Sequence, residues 1–438
     1  MSTLPAGSDL AARLSRAASA PDVRKAVADI LRDRSEIDRA RAARRLDGGG
    51  EGVEVAQLYS AAADDLLTAL WDFTTGTLFP APNPTEAERL SLIAVGGYGR
   101  GVLAPFSDLD LLFLRPWKPI PRTEQVIEFM LYVLWDLGLK VGQSARSVDE
   151  CLTLAKSDMT VRTALLEARP LAGDETLTAD FIARFRAQVV KADPRPFIAA
   201  KLEERDLRHQ KTGAVRYRVE PNVKDGKGGL RDLNTLFWIA RSLTPESPLG
   251  ARALDGLLTT RERRTFEEAF DFLWRTRAHL HLTAGRAEEK LTFDFQPEVA
   301  RRMGWRGRGD EPAVERFMRR YFLVARDVGA LTRAISAKLE AREQKPTLSL
   351  SRLIPGRKRK LGVEGFREDA GRLSVTGPEI FAAAPEKLLM LFRTADEHDL
   401  DLHPDAFSAV SRSLSLVTPS LRRDPEAARA FLDILAHG

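Results

Sequence analysis

The sequence predicts an α+β fold, a small sheet with its helices embedded in a largely helical chain. Three observations carry this. Short apolar runs at 90–95 and 109–114 and a third strand at 139–144 are confined to one stretch. Nearly all the rest places apolar residues at helical spacing. And 438 residues exceed one core of ordinary size, so more than one domain is expected.

Residues 20–46 are polar, with one apolar stripe at helical spacing, and Gly48, Gly49 and Gly50 end the pattern. Residues 53–78 form a long amphipathic helix through Leu58, Leu66, Leu67, Leu70, Trp71 and Phe73, followed by a turn rich in proline (Pro80, Pro82, Pro84). The strand at 90–95 runs into a tight glycine loop, Gly96-Gly97-Tyr98-Gly99-Arg100-Gly101. A second strand at 109–114, a helix at 123–137 and a third strand at 139–144 complete the α+β part. From 147 onward the reading is helical, with segments at 147–168, 175–190, 195–211, 230–243, 260–284 and 311–340 and a glycine-rich loop at 224–229. Pro346, Pro355 and the basic cluster Arg357 to Lys360 mark 342–375 as a connector, and 378–438 is helical again. The expected divisions are 1–80, an N-terminal helical segment; 81–190, the sheet domain; 191–340, a second helical domain; and 341–438, a connector and helical stub.

Composition narrows the function classes. Hydrophobic residues make up 44% and charged residues 29%, as in soluble globular proteins. No apolar run reaches the roughly 18–20 residues of a membrane span; the nearest, 129–139, is broken by Asp136. Asp9, Arg13 and Arg16 interrupt any secretory signal. Cys151 is the only cysteine, so no internal disulfide forms. A cytoplasmic protein without a membrane partner is expected. The charge balance, 67 basic against 62 acidic residues, does not call for nucleic acid as a partner.

The chemistry concentrates in two motifs. The first is Gly96-Gly97, a gap of ten residues, then Asp108-Leu109-Asp110-Leu111. Residues two apart in a strand share a face, so Asp108 and Asp110 project together while Leu109 and Leu111 enter the core. Aspartate is disfavoured in strands, and adjacent carboxylates repel unless a cation lies between them. Oxygen ligands of this kind suit Mg2+ (or Mn2+) held jointly with substrate phosphates. Gly96 and Gly97 let the backbone approach a triphosphate, with Arg100 as an added cation. The chemistry expected is two-metal phosphoryl transfer. The second motif runs from Glu220 to Asp232, a basic glycine loop feeding a helix that begins near Leu230; Lys224, Lys227 and Arg231 make it a candidate phosphate or acidic-patch contact.

These residues resemble a known family. Val95 to Gly101 with Ser107-Asp108-Leu109-Asp110-Leu111-Leu112 is similar to the polymerase β-like nucleotidyltransferase superfamily, and within it to the uridylyltransferase that modifies the nitrogen-signalling protein PII. The segment 220–232 is similar to that family's signature after its catalytic domain. So are Leu134-Trp135-Asp136 through Gln143-Ser144, Phe272-Leu273-Trp274 through His281, and Phe317-Met318 through Tyr321-Phe322, so the likeness covers roughly 90–340. The resemblance implies UMP transfer from UTP to a tyrosine of PII. It implies Asp108 and Asp110 as catalytic metal ligands, and Gly96, Gly97, Arg100, Ser107, Lys224 and Arg231 as nucleotide contacts.

There are departures. Gln143 stands where the family usually has histidine. No acid occupies the strand that often supplies a third carboxylate, which leaves Glu220 as the candidate third metal ligand. The family continues into a phosphohydrolase domain that removes UMP and two ACT domains that sense glutamine; the chain stops where these begin, so removal of UMP is expected to be absent. His398-Asp399 reads as a loop dipeptide. His279 and His281 lie two apart on a helix and face different sides. His209 is expected on a solvated helix face, and Cys151 as a small packed residue.

Overall fold

The computed structural model describes residues 7–81, 85–191, 193–211, 219–243, 258–343, 364–369, 372–377, 379–398 and 400–437. The expected turn at Pro82 and Pro84, the connector prolines Pro346 and Pro355, the basic cluster 357–360 and Asp399 lie outside them. The chain divides into two compact units, Met1–Gly329 and Ala330–Gly438.

The first unit runs α1 (Gly7–Ala17), α2 (Val23–Asp47), α3 (Gly52–Phe73), β1 (Ser91–Ala94), α4 (Gly96–Gly99), β2 (Leu109–Arg115), α5 (Pro121–Asp136), β3 (Val141–Ser147), α6 (Val148–Ser157), α7 (Met159–Leu166), β4 (Arg169–Gly173), α8 (Glu175–Phe185), α9 (Arg195–Lys211), α10 (Leu230–Leu243), α11 (Thr260–Ala284) and α12 (Gln296–Arg302). The long α13 (Ala313–Glu343) crosses the division between the units. The strands form one mixed sheet in the order β3-β2-β1-β4. β1 pairs antiparallel with β2 and β4, and β2 pairs parallel with β3.

Both faces of this sheet are covered, which is why β1 and β2 read as continuous apolar runs. Leu92, Leu109, Leu111 and Phe113 enter one core with Leu31 of α2, Leu67 and Leu70 of α3 and Met130 of α5. Ile93, Leu112 and Leu114 enter the other with Cys151 of α6, Leu165 of α7 and Phe181 of α8. Each such leucine contributes roughly 1.5–3 kcal/mol by leaving water. α1, α2 and α3, from the expected N-terminal segment 1–80, therefore share a core with the sheet. Cys151 is packed as expected; burial pushes its thiol up to about 12.

β4 was not expected: it falls in the gap between the helical segments read at 147–168 and 175–190. Its five residues include Pro170, which an edge strand tolerates.

The second unit corrects the expected connector and stub. β5 (Phe366–Asp369) and β6 (Arg372–Val375) pair antiparallel, and β7 (Asp401–Leu402) joins β6 in parallel. With α14 (Ile380–Ala383), α15 (Lys387–Glu397), α16 (Pro404–Ser413) and α17 (Pro425–His437) they close a core of Leu373, Val375, Phe381, Leu391 and Ala406. No helix among the described residues is long and apolar enough to cross a membrane.

Candidate active site

A cleft of about 310 Å³ opens in the first unit where the ends of β1 and β2 meet α7, α9, α10 and α11. Its walls bring together residues from both sequence motifs: Gly96, Gly97, Arg100, Ser107, Asp108 and Asp110 from one, Lys224 and Arg231 from the other.

Asp110 lies in β2 on the same face as Leu112, so its carboxylate stands at the cleft end of an otherwise apolar row. Two glycines make room for it. A Cβ on Gly142, its partner in β3, would come within 2.4 Å of Oδ1, and one on Gly96 within 3.0 Å of Oδ2. Gly96 also has φ +58°, a conformation side chains disfavour. At Gly97 a Cβ would meet nothing within 4 Å, so protein packing does not demand this glycine and the space beside it lies open. Gly96 to Gly99 form a single helical turn rather than an open loop.

The electrostatics fit a cation. Burial, then the neighbouring Asp108, push the Asp110 carboxyl up to about 6, against the pull of Lys224. Two carboxylates so placed, one exposed and one half-buried, form a donor set that a hard divalent ion would complete. Lys224 has no ion-pair partner among the described residues, so its charge is available to a bound anion. Arg231 shares its guanidinium with Asp225 at 3.1 Å and remains part-exposed. The Ser107 hydroxyl accepts from the Ala104 N–H at 3.1 Å, which folds the turn leading into Asp108.

Two expectations change. Arg100 lines the cleft, but its guanidinium is committed to Glu167, with Nε to Oε1 at 2.5 Å and Nη2 to Oε2 at 3.1 Å, and to the Asn234 amide oxygen. Both members of the ion pair are buried, so Arg100 braces the wall instead of reaching for phosphate. Glu220 is not among the residues lining the cleft. Its carboxylate takes the Lys290 ammonium at 2.7 Å and the Phe293 N–H at 3.1 Å, which hold it below the usual carboxylate range, so it does not serve as the third ligand. Among the described residues no group of three or more His, Cys, Asp or Glu is arranged to hold a metal.

The histidines divide differently than expected. His209 is largely buried and bonds Asp232 at 2.9 Å, while Asp232 also accepts from Arg208 and the Gly228 N–H; this ties α9 to the glycine loop. His279 and His281 are both fully buried. Gln143 is exposed on β3 and lines no part of the cleft.

Sequence reasoning missed several members of the site. Asn234 and Trp238 follow the expected Arg231 at i+3 and i+7 on α10 and line one wall with it, a signal present in the helical spacing. Glu167, Lys201 and Arg277 carry no local signature. Behind the glycine turn, Asp64 of α3 accepts the Tyr98 hydroxyl at 2.6 Å and takes the Arg169 guanidinium of β4 at 2.8 and 3.0 Å. Arg169 also donates to the Gly99 carbonyl at 3.3 Å, so the turn is anchored from α3 and β4 together.

Two stretches of the chain match known families. Residues 196–336 match the family described as GlnD PII-uridylyltransferase, and 366–438 match the uridylyltransferase GlnD third domain. The chain is 57% identical over 442 aligned residues to the bifunctional uridylyltransferase/uridylyl-removing enzyme of Caulobacter vibrioides, covering 99% of this chain and 47% of that protein. It is 56% identical to the enzyme of the same name from Phenylobacterium zucineum, covering 98% of this chain and 46% of that one. The chain thus spans about half the length of these relatives. Across nearly all of its own length it resembles the bifunctional uridylyltransferase/uridylyl-removing enzyme family.

Proposed function

We propose that this chain transfers UMP from UTP to a tyrosine hydroxyl of PII and releases pyrophosphate. The observation that carries the reading is the pair Asp108 and Asp110 beside the open space at Gly97, with Lys224 on the same cleft. The family names of its relatives supply the nucleotide and the acceptor.

In this reading the tyrosine oxygen bonds to the α-phosphorus of UTP as the bond from that phosphorus to the bridging oxygen breaks, and the hydroxyl proton is lost. Asp108 and Asp110 would hold Mg2+, which when bound there would neutralise phosphate charge and lower the pKa of the attacking hydroxyl. Lys224 and Arg231 bind the triphosphate tail from the wall opposite β2. The Gly96-Gly97 backbone lets the phosphates approach where a side chain would stand. The Arg100–Glu167 pair, being neutral overall, keeps that wall rigid without competing for the anion. Residues 191–340 are proposed as the domain that positions the protein substrate.

The test is incubation with PII, Mg2+ and each nucleoside triphosphate, followed by intact-mass measurement of PII. A UMP adduct that disappears with Asp108→Asn supports the proposal. An AMP adduct, or binding of PII with no adduct, overturns it.

A further inference from the structure

We propose that Asn234 selects the nucleobase, its amide N–H donating to the 4-carbonyl oxygen of uracil and turning away the 4-amino group of cytosine. This rests on the reading of the cleft as a UTP site.

Asn234 lies on the α10 face that carries Arg231 and Trp238. At ~1.5 Å rise per residue it stands about 4.5 Å beyond Arg231 along the helix, and Trp238 about 10.5 Å beyond. Arg231 sits at the end joined to the Lys224 loop, where the triphosphate is placed. Moving along α10 therefore moves from phosphate toward nucleoside.

The orientation of the Asn234 amide is fixed by its partner. Arg100 donates to the Asn234 side chain, and a guanidinium has no acceptor, so the atom facing it is the amide oxygen. Arg100 cannot swing away. Glu167 grips it twice, and the rings of Phe237 and Trp238 lie 5.8 and 5.9 Å from its guanidinium carbon. A flipped amide would set NH2 against guanidinium and lose the bond. The amide nitrogen is therefore held as a donor in a cleft wall, and among the described residues no protein acceptor takes it.

A fixed donor requires an acceptor on the ligand. Uracil and cytosine share the 2-carbonyl, so that oxygen cannot separate them. They differ at N3, where uracil donates and cytosine accepts, and at position 4, where uracil accepts and cytosine donates, so a donor facing position 4 separates them. A site built to donate rejects the analogue that also donates, because both groups are left unpaired on burial.

The experiment offers the wild-type chain and Asn234→Asp an equimolar mixture of UTP and CTP with PII and Mg2+, and weighs the PII adducts. The aspartate keeps one oxygen for Arg100 and presents the other as an acceptor. The UTP-to-CTP preference should fall on the order of 100-fold in the variant. A second arm needs no variant. The wild-type chain is given a pyrimidin-2-one riboside triphosphate, which lacks only the 4-oxygen and N3 proton, and kcat/KM should drop roughly 10- to 100-fold against UTP. An unchanged UTP-to-CTP ratio in folded Asn234→Asp, or equal use of the 4-deoxy analogue by the wild type, overturns the inference and leaves the UTP reading standing. Failure of the wild-type chain to use UTP at all overturns both.

Discussion

Gly142→Ala tests the placement of Asp110 without touching a carboxylate. The added methyl would sit 2.4 Å from Asp110 Oδ1, a separation that real Cβ atoms essentially never show below 3.0 Å. The carboxylate must retreat by at least the difference, 3.0 − 2.4 = 0.6 Å, or turn about its χ angles. Gly142 pairs with Asp110 in the parallel β2–β3 ladder, so backbone hydrogen bonds resist a shift of the main chain and the side chain must give. A misplacement near 1 Å in a reacting constellation costs on the order of 100-fold. The expected loss in kcat/KM for UMP transfer is thus about 10- to 100-fold, roughly 1.4–2.7 kcal/mol of transition-state stabilisation. The melting temperature should hardly move, because Gly142 is exposed and alanine is no worse than glycine in a strand. The assay is initial-rate UMP incorporation into PII over a range of Mg2+ concentrations, with circular-dichroism melts as the folding control. In an Asp110→Asn background the alanine should add little, since the group it displaces no longer binds the ion. Full activity in Gly142→Ala, or multiplying losses in the double variant, would refute the argument that Gly142 exists to seat Asp110.

Three further outcomes are expected. Lys224→Ala should raise the KM for the triphosphate about tenfold or more, the worth of one charge-assisted contact, with a smaller change in kcat; an unchanged KM refutes its role as an anion contact. Chelation should abolish transfer while leaving the fold intact, and Mg2+ at 100 times its Kd should raise stability by about 2.7 kcal/mol, read as an upward shift in melting temperature that Asp108→Asn removes. The third concerns pH. Burial, then Arg302, push fully buried His279 from the ordinary 6.5 down to about 4. Above 6.5 it is neutral in both states and contributes nothing to pH dependence. As pH falls from 6.5 toward 4 only the unfolded chain takes up the proton, so stability drops by on the order of 3 kcal/mol across that window. Glu289 acts lower: burial raises it, but His281 and Arg277 outweigh burial and bring it to about 2, so its contribution is lost only as pH falls from 4.5 toward 2. Between pH 7 and 5 His281, also lowered by burial, and Asp110, raised to about 6, titrate as well, so the measure is the difference between wild type and His279→Gln, which should lose less stability over this range; an unaltered slope refutes the assignment.

Legibility in the sequence followed how local each feature was. β1 and β2 were readable because burial on both sheet faces leaves an apolar run, and α9, α10 and α11 because a packed stripe repeats every turn. β4 was not readable: five residues with a proline give no period, and only pairing with β1 makes them a strand. β5 and β6 fail for a similar reason. Phe366-Arg367-Glu368-Asp369 is charged, and its place in a sheet is set by partner strands and by the core under Leu373 and Phe381, not by its own propensity.

In the cleft the same distinction separates ligands from supports. Asp108, Asp110 and Gly96 announce themselves because their chemistry conflicts with their surroundings: acids beside apolar strand positions, glycine where a chain must bend. Arg100 also stood out by type, and type alone suggested phosphate. Its partner decides otherwise, and Glu167 lies 67 positions away at the end of a different helix. A cation becomes a phosphate ligand or a wall brace according to whether a buried carboxylate reaches it first, and no spacing rule records that. Glu220 shows the converse, an acid well placed in sequence whose charge Lys290 takes, 70 positions on. Lys224 reaches the cleft with no such partner among the described residues, which makes it, rather than Arg100, the cation whose removal should be felt by the triphosphate.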